Sequence, residues 1–168
     1  MKTTNFLFLF SLSALIANGA DTPAIPSKDA IKKATAYIFS CDCGNSVSDP
    51  GYPESAKILR DAGPAIVPAL VELVPDTTLS AWFVGNAGRV ATKHPLSEPL
   101  RAALRLRRED KSFDSDPGAM LGVFEYFATF GDHTDLAWME AAVSRLDDSR
   151  RPYATKPIQQ LRERLSRK

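Results

Sequence analysis

Two prolines set four residues apart, Pro64 and Pro68, return 31 positions later as Pro95 and Pro99, and the same shift carries Leu73 onto Leu104. A longer step of 68 carries Leu59 onto Phe127, Gly63 onto Gly131, Ala69 onto Ala137 and Leu70 onto Trp138. Self-similarity at such a spacing belongs to arrays of helical pairs, in which each pair buries its apolar face against the next. A chain written this way is steered away from a single closed sheet or barrel.

The local pattern agrees. Ser27 stands where it can cap a first helix whose inner positions are Ile31, Ala34, Ile38 and Phe39. Asp42 to Tyr52 reads as a loop, with Gly44-Asn45 and Asp49-Pro50-Gly51 as turn residues. Pro53 opens a second helix with Ala56, Leu59 and Ala62 inward, and Gly63 closes it as a left-handed residue. Pro64 opens a third, carrying Ile66, Val67, Leu70, Leu73 and Val74, which Pro75 stops. A helix from Thr78 to Lys93 follows, in which Gly85 and Gly88 permit close approach of a neighbour. A phosphate-binding loop would need more glycines and a preceding strand.

Pro95 starts a helix with Leu96, Leu100, Ala103 and Leu104 inward, and Glu109 to Ser115 is a charged loop. Asp116-Pro117 reads as a cap and first-turn proline. The helix that follows is the most apolar of the chain, ending at Gly131, and is expected to be central. Asp132 and Asp135 have the spacing of a capping box, ahead of Leu136, Met139, Val143 and Leu146. A last helix carries Ile158, Leu161 and Leu165, with a basic end suited to a cap. No stretch alternates as a strand does. The expectation is an all-α fold of about seven helices with short connections.

The segment Leu59 to Val74, LRDAGPAIVPALVELV, is very similar to a HEAT-like repeat of the short bacterial type, and residues 87–106 and 124–146 resemble it more distantly. The resemblance implies a short right-handed α-solenoid of antiparallel helix pairs over residues 53–168, closed by a C-terminal capping helix. It also implies a scaffold that binds other proteins. Some such proteins are enzymes: iron-binding hydroxylases use His-Glu dipeptides, and bilin lyases attach pigments. This sequence has no His-Glu dipeptide, since His94 precedes Pro95 and His133 precedes Thr134.

Residues 1–20 read as a signal peptide. Lys2 precedes an apolar run from Phe6 to Ile16, and Ala17-Asn18-Gly19-Ala20 supplies small residues at the cleavage region. The run is too short for a membrane span, which needs about 20 apolar residues. The expected location is periplasmic or secreted, without stable membrane insertion after cleavage. Residues 21–52 then form an N-terminal helix and a cysteine-containing loop. With Lys2 removed, the remaining chain balances 20 basic against 20 acidic residues. That balance disfavours a general nucleic-acid binder.

The charges are nonetheless segregated. Residues 112–142 hold Asp114, Asp116, Glu125, Asp132, Asp135 and Glu140 and no Lys or Arg, while basic zones lie on either side. Pairing between neighbouring helices explains this, and so does a docking face of complementary charge. Arg101, Arg105 and Arg108 share one helix face and are candidate partner-binding residues. Trp82, Trp138 and Tyr153 are aromatic candidates for a binding surface.

Cys41-Asp42-Cys43 holds the whole cysteine inventory. In an exported chain it suggests a small, strained disulfide at the end of the first helix. Free or intermolecular thiols, a redox role and metal binding are the other readings, the last without two further ligands at a recognisable spacing. His133 beside Asp132, and His94 in a turn, read as decoration of helix ends, although a His–carboxylate pair can act as a general base. No catalytic residues, metal or cofactor are assigned. The functional expectation is an exported, non-catalytic protein-binding module, with an immunity-type inhibitor of a toxin or enzyme as its concrete form. The alternative is a thiol-dependent accessory protein acting through Cys41 and Cys43.

Overall fold

The structure is a computed structural model and describes residues 25–40 and 49–167. The signal peptide expected over residues 1–20, and the disulfide expected between Cys41 and Cys43, lie outside the described residues. The elements are α1 (Lys28–Ser40), α2 (Gly51–Ala62), α3 (Ile66–Leu73), α4 (Ala81–Ala91), α5 (Glu98–Arg107), a single turn α6 (Ser112–Ser115), α7 (Met120–Phe130), α8 (His133–Ala142) and α9 (Arg151–Ser166). No strand occurs among the described residues, and the fold is all-α. Apart from α6, eight helices stand where about seven were expected.

Ser27 and Asp132 cap α1 and α8 as expected, whereas α4 and α5 start three residues later than expected, behind Ser80 and Ser97. Ser27 Oγ accepts from the Ala30 amide at 3.2 Å, Ser80 from Phe83 at 3.3 Å and Ser97 from Leu100 at 3.4 Å. Each satisfies an amide that has no partner within its helix. Asp132 and Asp135 form a complete capping box at the start of α8, each side chain bonding the other residue's backbone N–H. Gly63 has φ +48° and ψ −127°, the only positive φ among the described residues. The backward turn between α2 and α3 therefore uses a conformation that side chains rarely adopt, although it lies outside the left-handed helical basin.

Other boundaries differ from expectation. Asp116 makes no side-chain cap, because a 3-10 turn over Pro117–Ala119 intervenes before α7. Residues 109–115 are not all loop: Phe113 is fully buried and pins α6 to the core. Leu96 faces water instead of the core. Leu146 is buried as expected but lies beyond α8, after a 3-10 turn over Val143–Arg145.

The packing runs in two rows. In the first, α1 packs on α4, α4 on α7 and α7 on α9. Contacts between α4 and α7 rise together along both chains, Gly85 with Ala119, Gly88 with Gly122 and Arg89 with Glu125, so these helices run parallel. The same holds for α7 and α9, where Gly118 meets Arg150 and Ala128 meets Arg164. In the second row α3 packs on α5, and Arg105 of α5 reaches the start of α8. Most polar bonds between helices join residues about one repeat apart: Arg107 to Val74 spans 33 positions, Arg89 to Glu125 spans 36 and Arg145 to Asp114 spans 31. Helix α1 also packs against α2 and α3, and its Ile31 and Phe39 belong to the same core cluster as the later helices. Among the described residues, no break in packing falls near residue 52.

The closest approach is between α4 and α7. A Cβ on Gly85 would overlap the Ala119 backbone carbonyl, one on Gly122 would overlap that of Gly85, and one on Gly88 would stand 2.6 Å from the Gly122 oxygen. The reading of Gly85 and Gly88 as close-packing residues holds, and Gly122 is the partner it lacked. As expected, α7 is central, with Met120, Val123, Phe124 and Phe127 fully buried. Tyr126 beside them donates to the Ser97 carbonyl at 3.3 Å, and burial pushes its hydroxyl up to about 12.

Candidate functional site

The arginine stripe of α5 is engaged within the chain. Arg105 grips Asp135 with both sides of its guanidinium, Nε to Oδ1 at 2.8 Å and Nη2 to Oδ2 at 2.6 Å, and Nη2 also reaches Asp132 at 2.6 Å. Arg108 donates to Asp135 at 3.2 Å and lies over the Trp138 ring, 5.6 Å from its centre. Arg101 donates to the Phe130 carbonyl at 3.1 Å and pairs with Glu98. The Asp135 side chain is fully buried, and two guanidinium groups and the Asp132 amide satisfy it. Arg105 and Arg108 fasten α5 to the start of α8, and Arg101 ties it to the end of α7.

The remaining segregated charge behaves the same way. Asp114 pairs with Arg145, Glu125 with Arg89 and Glu140 with Arg162. Five of the six acids between residues 112 and 142 thus pair with arginines on neighbouring elements, which is the pairing account of the charge pattern.

Burial works to raise the Asp132 carboxyl. The Arg105 guanidinium and the amides of Asp135 and Thr134 together hold it below the usual carboxylate range. At Asp110, the Ser112 amide is the largest cause of a similar lowering, against burial, and Arg107 adds to it. A carboxyl lowered by folding stabilises above its unfolded value of about 4 and loses that contribution as pH falls through the folded value. Stability should therefore hold from pH 7 to about pH 4 and fall below it, read as a declining urea midpoint. In Asp132→Asn the fall should be shallower; an equally steep fall would remove Asp132 from the account.

Arg107 was absent from the sequence-based candidates and is the most buried cation described, 3% exposed. It donates to the backbone carbonyls of Val74, Asp76 and Leu79 and to the Asp110 carboxylate. The signal was present: Leu100, Ala103, Leu104 and Arg107 share the inward face of α5. Of the aromatic candidates, Trp138 is buried edge-on against Phe124 and Phe127, Trp82 packs half-buried against the core, and Tyr153 is 70% exposed. His133 is exposed at the first position of α8, and His94 is half-buried after α4. Among the described residues no group of three or more His, Cys, Asp or Glu could hold a metal ion. No helix described is long and apolar enough to cross a membrane.

Tyr153 lines a groove of about 480 Å³ over α7 with α4 and α9 as walls. Leu121, Glu125 and Thr129, spaced four apart, form its floor. Arg89 and Thr92 line one wall, and Tyr153, Lys156, Pro157 and Gln160 line the other. Close seating of α4 on α7 and of α9 on the far side leaves this strip of α7 uncovered. Sequence reasoning singled out Tyr153 and none of the other lining residues, because the groove belongs to three helices far apart in the chain. No protein-family model matches the chain, and neither a curated protein nor a solved structure matches it.

Proposed function

We propose that this chain is an exported, non-catalytic protein-binding module, a short α-solenoid of HEAT-like units. Its concrete form is an immunity-type inhibitor that occupies the surface of a toxin or enzyme. The observation that carries the reading is the α4–α7–α9 groove, which presents an exposed aromatic ring, a lysine and hydroxyl and amide groups along one open channel. Such a mixture of aromatic, cationic and neutral polar groups suits recognition of another protein. Parallel first-row helices, and polar bonds that step by about one repeat, support stacked units as its frame.

The test is affinity capture of the processed protein from cells that make it, with crosslinking and mass spectrometry. One partner at a fixed ratio is expected, and a Cys41→Ser/Cys43→Ser double variant should retain it. No partner under crosslinking would overturn the reading. Loss of the partner in a folded double variant would move the function to the thiols.

A further inference from the structure

We infer that the outer face of α3 and α5 docks a second copy of this chain, about a two-fold axis that runs along the furrow between these helices. The inference concerns the second row of helices and does not depend on the groove of the first.

An apolar strip forms the middle of this face. Pro99, Ala102 and Leu106 stand three and four apart on α5, so they share one side of it, and all three are exposed. That side is distinct from the core face of Leu100, Ala103, Leu104 and Arg107. Leu106 is 76% exposed, more than any other large hydrophobic described. The shift of 31 positions carries Val71 onto Ala102 and Pro75 onto Leu106. Val71 is half-buried on α3, and Pro75 is exposed just past its end. Helix α3 packs beside α5, and Arg107 at the end of α5 bonds the carbonyl of Val74 at the end of α3, so the two run in the same direction. Their exposed apolar residues therefore lie side by side. A lone surface leucine is ordinary, but a strip shared by two helices marks a site of association.

The charged edges select the occupant. On the α5 edge, Glu98 pairs with Arg101 and Glu109 with Arg108. The carboxylates are the outer members, 62% and 67% exposed against 19% and 17% for their arginines. On the α1 edge, Lys28 and Lys32 share the single carboxylate of Glu72 on α3. There the cation is the outer member, with Lys28 68% exposed against 38% for Glu72. One edge thus presents acid to solvent and the other presents base.

A half-turn about the furrow lays α5 of each copy on α3 of the other. It also sets each acidic edge over a basic one, with the apolar strips between them. A face with opposite signs on its two edges is complementary to itself, as a two-fold interface requires. The chain carries a net charge of only +1, so no long-range repulsion keeps like molecules apart. Leu106 then meets the second copy's Pro75, and Ala102 meets its Val71. Three helices' breadth by the length of α5, about 27 Å by 15 Å, gives about 400 Å² a side, roughly half a standard interface. The dimer is therefore weak and reversible.

The experiment is sedimentation equilibrium of the processed chain from about 10 μM to about 1 mM. A monomer–dimer equilibrium is expected. Leu106→Glu should weaken it at least about tenfold and leave the urea midpoint unchanged, since the side chain is exposed. The axis is read in the Cys41→Ser/Cys43→Ser background. A mixture of Leu106→Cys and Pro75→Cys chains should oxidise to linked dimers at least about tenfold faster than either variant alone. Monomer at every concentration, a dimer that Leu106→Glu leaves untouched, or faster linking of Leu106→Cys to itself would each overturn the assignment. So would a partner captured from cells that Leu106→Glu releases, because that partner would then own this face. The binding-module reading survives any of these results, since it rests on the capture of a partner alone.

Discussion

Gly122→Ala is expected to cost at least about 4 kcal/mol, and Gly85→Ala/Gly122→Ala together to leave no folded protein at 25 °C. An added methyl in a close-packed interior normally costs about 1–3 kcal/mol, because neighbouring side chains shift to accept it. Here no side chain stands in the way. The Cβ of residue 122 meets the backbone oxygen of Gly85, and that of residue 85 meets the backbone oxygen of Ala119. Only separation of two helices can relieve the overlap, and that separation opens the core cluster to which Phe83, Val84 and Ala87 of α4 and Val123 and Phe124 of α7 all belong. Domains of this size are stable by roughly 5–15 kcal/mol, so one substitution removes a large share. Urea unfolding followed by circular dichroism measures it. A midpoint within 0.5 M of the parent, about 1 kcal/mol at a typical slope, would show that the helices part easily.

Arg107→Met comes next, with an expected loss of about 3–5 kcal/mol and no change in the groove's lining. The Met side chain fills much of the same volume, so the cavity contribution stays small. What is lost is the common donor to three carbonyls in the corner between α3 and α4. A buried acceptor left unmet costs about 1–3 kcal/mol, and the Asp110 carboxylate loses its cation as well. Arg107→Lys should recover a minor part, since one ammonium cannot span carbonyls that the planar guanidinium reaches together. If Met and Lys variants unfold at the parent's midpoint, water replaces the guanidinium without loss and the corner is not held by it.

Much of the fold was legible because its signals are local. Ser27 and Asp132 occupy the N-cap positions that capping chemistry requires, and the apolar faces follow the helical period, while Ser80 and Ser97 cap helices whose starts were read three residues too early. Gly85 and Gly88 announced a tight contact without naming Gly122, because the partner in a helix–helix contact is a tertiary fact. The arginine stripe illustrates a further gap. Periodicity placed Arg101, Arg105 and Arg108 on one face, but it cannot distinguish a face turned to a partner from one turned to α8, whose acids lie 27 to 30 residues on. The repeat shift itself joined α3 to α5, which do pack together. It gave no hint that α1 would share the packing of α2 and α3. Only Tyr153 of the groove was visible, since exposed aromatics stand out in any helix and the floor and walls do not.

The arginines at the corners have a consequence for how the molecule comes apart. Arg107 of α5 closes the corner between α3 and α4. Arg105 closes the start of α8, and Arg164 of α9 reaches back to the carbonyls of Ala128 and Gly131. The α3–α4 corner and the end of α7 are thus left with unmet carbonyls, and the start of α8 with an unpaired buried carboxylate, until the arginine that serves each has been docked. An array of self-sufficient units would fray from its ends one bead at a time. Here three of the joints are laced, so a ribosome-bound chain that stops short of residue 107 lacks the group that finishes α3. The completed protein is expected to melt as a single body, in one transition seen alike by circular dichroism and tryptophan fluorescence.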